Sequence, residues 1–249
     1  GLLGENLTLN ADRALALDGA TTIDTGQTLT LNGGGFSTGS LHRYGTFAFN
    51  SGTFGLTDDD LTIGASGLLG GTVELLAGRA VEVTNTTTVT AEGMLTLGGG
   101  SLSSGELVNE GIVRLESLVS VLGGGTVTNR SEISGTGRIS ASLVNESSGQ
   151  VRVGSGQRLR FSASSNTNAG LVRVIGGEVE FTGDLTNATS SGMITGRDAT
   201  LTFTGGLSNA GSVALSFGTS DIFGDISNEA AGRIVVSGGG NATFYGDLV

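Results

Sequence analysis

The sequence predicts an all-β, single-domain parallel β-solenoid, a right-handed β-helix with coils of about twenty residues, on three observations. Short runs alternate apolar and polar residues, as in Val151-Arg152-Val153, Leu159-Arg160-Phe161, Val179-Glu180-Phe181 and Leu201-Thr202-Phe203, and a period of two is the signature of a strand with one face in and one out. Glycine is abundant, at 46 residues, while Pro, Cys and Trp are absent. An asparagine and a phenylalanine recur at nearly constant spacing through the second half.

The recurrence is best seen from Leu143 onward. Five segments open with Leu143-Val144-Asn145, Thr167-Asn168, Leu185-Thr186-Asn187, Leu207-Ser208-Asn209 and Ile226-Ser227-Asn228. A glycine follows each, at Gly149, Gly170, Gly192, Gly211 and Gly232, and a strand-like run leads to Phe161, Phe181, Phe203, Phe223 and Phe244. Both series keep a spacing near twenty that wanders by a few positions from one coil to the next. Turns of variable length produce such wander. Asn109 and Asn129 extend the series upstream. Residues 107 onward therefore read as regular coils and residues 1–106 as less regular ones, in one continuous solenoid over residues 1–249. The first half uses the same parts: Gln27-Thr28-Leu29-Thr30-Leu31 and Met94-Leu95-Thr96-Leu97 both lie between glycine turns.

Stacking explains these residue types. A coil this short cannot bury its own apolar face, but copies stacked on one another can. The five phenylalanines are expected to form one buried stack. The seven asparagines are expected at a corner, each amide bonded to the next coil, with the left-handed backbone that asparagine tolerates. Roughly twelve coils at about 4.8 Å per coil give a rod near 55–60 Å long.

Composition narrows function. All 12 basic residues are Arg, scattered singly, and the net charge is −11. Nucleic acid needs a clustered positive surface, so it is not an expected partner. No apolar run reaches the ~18 residues of a spanning helix. No thiolate metal site or disulfide can form without cysteine. Gly1-Leu2-Leu3-Gly4 has neither an initiator Met nor a signal-peptide layout, and the chain reads as a processed product or a piece of a longer one.

Leu185-Thr186-Asn187-Ala188, Ala214-Leu215-Ser216-Phe217-Gly218 and the run Val236 to Phe244 resemble large secreted bacterial, planctomycete-type β-solenoid repeat proteins. These are similar to autotransporter passengers and filamentous-haemagglutinin-like adhesins. The resemblance is strongest from Leu107 onward. It implies an extracellular or cell-surface location and a structural or adhesive role as a stalk, matrix or filament subunit, and no particular activity. The partners expected are a second copy joined head to tail, or a longer parent chain, and a surface polysaccharide. No cofactor is expected.

The chemically dense spots are few. His42-Arg43-Tyr44 holds the sole histidine, and Asp58-Asp59-Asp60 follows about one coil later. One reading joins them as a carbohydrate or cation site. The preferred reading is a decorated turn and an acidic loop, because strand alternation sends adjacent side chains to opposite faces. Asp58 and Asp60 could supply the two carboxylates of a polysaccharide-cleaving enzyme, the rival reading, but so could many pairs on an acidic rod. No catalytic residue is assigned. Six Asn-x-Ser/Thr sequons occur, at Asn6, Asn85, Asn129, Asn145, Asn187 and Asn241. Three belong to the corner series, where burial would block a glycan.

Overall fold

The computed structural model describes residues 1–188 and 191–249. Among them there is no helix, and every named strand pairing is parallel. In the second half each coil has three short strands, and thus three faces. Ser142–Asn145, Ser165–Asn168, Asp184–Asn187, Leu207–Asn209 and Ile226–Asn228 stack on the first face. Gln150–Val153, Leu171–Ile175, Met193–Arg197, Ser212–Ser216 and Arg233–Ser237 stack on the second. Arg158–Phe161, Glu178–Phe181, Thr200–Phe203, Thr219–Phe223 and Asn241–Phe244 stack on the third. Each strand finds its partner one coil away, so a residue's neighbours across the ladder lie about twenty positions off in sequence.

One inward column on the third face can be followed through most of the molecule. It runs Leu15, Phe36, Phe54, Val81, Leu102, Leu122, Ile139, Phe161, Phe181, Phe203. From Phe36 onward these side chains are essentially excluded from solvent. Phenylalanines of the two halves thus occupy the same position in the coil. Phe36 stacks on Phe54 at 6.1 Å, Phe161 on Phe181 at 4.6 Å and Phe181 on Phe203 at 6.1 Å between ring centroids.

The expected five-ring stack stops at Phe203. Phe223 points outward, 38% exposed, against Tyr245 at 4.6 Å, and Phe244 is only partly buried, in the column of Leu201 and Ile222. The reason is register. The ladder pairs Leu201 with Ile222, which sets Phe223 opposite the outward Thr202 rather than opposite Phe203. A slip of one position inverts the facing of a side chain. At the next step Ile222 pairs with Phe244, and the ring turns inward again.

The first half holds a seam. Thr46–Phe49 pairs with Thr28–Leu31 on one side, and Thr72–Leu76 with Met94–Gly98 on the other. No ladder joins the two segments among the described residues, nor does one join Ser40–Arg43 to Leu61–Ile63. Across this coil the third face alone stays continuous, through Gly52–Leu56 paired with Arg79–Val83. Leu68 and Leu69, in the turn between the two strands of the lower lip, pack against the core. Arg79 bridges the lips: its Nε donates to the Asn50 carbonyl (3.0 Å) and an Nη to the Glu74 carbonyl (3.1 Å).

Candidate functional site

The most organised polar feature of the molecule is internal. At the end of each first-face strand an asparagine points inward, and its amide nitrogen donates to the amide oxygen of the asparagine in the next coil. The bonds run Asn109 to Asn129, Asn145, Asn168, Asn187, Asn209 and Asn228, each 2.7 Å long. All but Asn228 are at most 1% exposed. The same nitrogens also reach backbone carbonyls of the following turn, such as those of Gly149, Gly192 and Gly232. A buried amide left without partners would cost about 1–3 kcal/mol; here each central one is satisfied on both sides.

The glycine after each asparagine follows from this packing. A Cβ on Gly170 would collide with the carbonyl oxygens of Glu146 and Gly149, and one on Gly211 would collide with that of Gly192. Close approach, not backbone handedness, selects glycine there. The asparagines themselves do not adopt the left-handed backbone expected of corner residues; among the described residues the non-glycine ones with positive φ are Asp12, Asp198 and Phe217. The asparagines end extended strands instead.

Upstream of Asn109 the same inward position is apolar, filled by Val89 and Ile63. A second buried asparagine, Asn166, replaces leucine in the neighbouring inward column. It accepts from the Leu143 backbone N–H and donates to the carbonyls of Ala163 and Asp184.

Outside, charges alternate between coils. Arg130, flanking the asparagine column, lies between Glu146 and Glu110 at 3.1 and 3.4 Å. Glu146 first, then Glu110, hold its guanidinium above the usual arginine range. Arg152 pairs with Glu132, Arg158 with Glu178 and Glu180, and Arg160 with Glu180. Such exposed pairs contribute little stability individually.

His42, Arg43 and Tyr44 are all exposed, at the end of the strand on the upper lip of the seam. Asp58, Asp59 and Asp60 are exposed as well, and the triplet uses its polar groups on backbone. The Asp59 carboxylate accepts the Asp60 N–H, and that of Asp60 the Thr86 N–H. No hydrogen bond or ion pair joins the two segments among the described residues. Nor do three or more His, Cys, Asp or Glu converge there as a cation cage. Asn129, Asn145 and Asn187 of the sequons are buried and spend their amides in the column; Asn6, Asn85 and Asn241 are exposed. Thr189, the third residue of the Asn187 sequon, lies outside the described residues.

Sequence reasoning treated the arginines as scattered, but the coil brings some together. Arg173 and Arg197 lie on one face with Phe217 at its corner. Only the local register reveals this: the ladder pairs Arg173 with Thr195, so Arg197 is the next outward residue on the same strand. Comparison with protein-family models, curated proteins and solved structures found no match.

Proposed function

We propose that this chain is an extracellular structural or adhesive rod, a stalk, matrix element or shaft whose role is to hold a repetitive surface at a fixed geometry. The observation that carries the reading is the asparagine column. Six consecutive amide bonds tie Asn109 to Asn228 and fix one coil against the next over about half the chain. A scaffold needs that register, because an outward residue is placed by its own coil and by every coil below it. Outward Arg and Glu side chains pair across coils, a surface suited to water and to extended partners. The resemblance to secreted bacterial repeat proteins supports the extracellular setting. Asp58–Asp60 and His42–Tyr44 are assigned to surface turns rather than to catalysis.

The test is antibody labelling of intact cells of the source, paired with small-angle scattering of the purified chain. The reading expects labelling without permeabilisation and a rod whose long dimension is about 55–60 Å. Labelling that appears only after permeabilisation would remove the extracellular role.

A further inference from the structure

From a shallow cleft on the second face we infer a binding site for an anionic polysaccharide, one bearing carboxylate or sulfate groups. The inference rests on the adhesive reading and gives it a partner chemistry. The cleft has a volume of about 390 Å³, and its lining includes Arg173, Arg197, Thr195, Ser216, Met193 and Phe217 and no Asp or Glu. In a chain of net charge −11, that is a local reversal of sign. Arg173 and Arg197 are both exposed, and neither has an ion pair or side-chain hydrogen bond among the described residues. Ladder pairing places Thr195 beside Arg173 and Arg197 beside Ile175. The two arginines are therefore one coil and two positions apart, with Cα atoms roughly 8 Å from each other.

Phe217 adds the second half of the argument. Phe217 is 55% exposed, and its backbone sits at φ 51°, a conformation a bulky residue rarely adopts. The Arg197 guanidinium lies 5.3 Å from the ring centroid, which orients the fork while leaving its N–H edges toward the cleft free of any protein partner. Free guanidinium forks bind carboxylate or sulfate oxygens in pairs. The Thr195 and Ser216 hydroxyls match sugar hydroxyls, and the Phe217 and Met193 side chains offer apolar contact to sugar C–H faces. Duplex nucleic acid fits poorly. Its affinity depends on many phosphate contacts, and acidic side chains flank the cleft, Asp198 in the bend after Arg197 and Glu178 at the start of the adjoining third-face strand.

The test is titration of the purified chain with polygalacturonate and heparin as carboxylated and sulfated probes, against dextran and duplex DNA. The inference expects binding to one or both anionic glycans, not to dextran, with the stronger of the two identifying the oxyanion. Arg173→Gln combined with Arg197→Gln should weaken it about tenfold or more, and Arg197→Lys, which keeps the charge but loses the fork, should also weaken it. Arg138→Gln, on the third face, should leave it within about twofold. Thermal melts that match the wild type show that each variant folds. Failure of the folded wild type to bind either glycan, unchanged binding by the double variant, or equally tight binding of DNA would each overturn the site. These results strike the site alone; absence from the cell surface strikes the extracellular reading beneath it.

Discussion

The two halves of the solenoid solve the same stacking problem with different chemistry. From Asn109 onward the inward residue ending each first-face strand is asparagine; before it, the equivalent residues are Val89 and Ile63. The ladders that carry the asparagines run without a register shift. Shifts occur upstream, around Asn10, Leu17–Ala20, Leu31–Gly35 and Ser104–Glu106, and in the Glu116–Val121 bulge of a neighbouring face. An apolar side chain packs acceptably against several neighbours. A buried amide must meet its partner or lose its hydrogen bonds. The polar column thus selects one register, whereas the apolar half admits bulges, longer turns and the seam at Thr46–Phe49.

The comparison can be broken or sharpened by substitution. Phe181→Ala, in the middle of the buried ring stack, should destabilise by about 3–5 kcal/mol in urea unfolding, while Phe223→Ala, outward in the next-but-one coil and stacked on Tyr245, should cost about 1–1.5 kcal/mol. Equal effects would mean the facing of the third-face strands is wrong. Asn168→Leu leaves the Asn145 nitrogen and the Asn187 oxygen without their column partner. It should cost about 2–3 kcal/mol, and a neutral result would reduce the column to decoration. Arg79→Ala removes both bonds across the seam and should cost about 1.5–3 kcal/mol, with new proteolytic cleavage between Gly64 and Gly71. Thr87 carries a fully buried hydroxyl with no hydrogen-bond partner among the described residues, between Leu61 and Leu107 in its column. Thr87→Val should raise stability by about 1 kcal/mol. Arg130→Ala should lower the melting temperature slightly in dilute buffer and not at all in about 1 M salt, where the screening length falls to roughly 3 Å.

Much of this was legible in the sequence, because a solenoid writes its contacts as a period. Strand alternation and the Asn109–Asn228 series gave the coil and its corner. What escaped detection depended on turn length. Phe223 keeps the phenylalanine spacing but not the ladder spacing, so the same letter faces out. The link from Phe54 to Phe161 through Val81, Leu102, Leu122 and Ile139 was hidden because apolar character, not identity, is kept down that column. The seam was hidden because Leu61–Ile63 and Thr72–Leu76 alternate like any other strand; only pairing reveals that their upper neighbours are missing. The Arg173–Arg197–Phe217 cleft required the local pairing of Arg173 with Thr195, not the average period.

Amide hydrogen exchange on the intact chain tests the central claim most directly, that the asparagine column makes the second half the register-locked half. First-face strands from Ser142–Asn145 to Leu207–Asn209 should exchange last, near the rate of global unfolding. The seam lips, Ser40–Arg43, Thr46–Phe49 and Thr72–Leu76, should exchange orders of magnitude sooner. Uniform protection along the chain, or faster exchange beside the asparagines than at the lips, would contradict it.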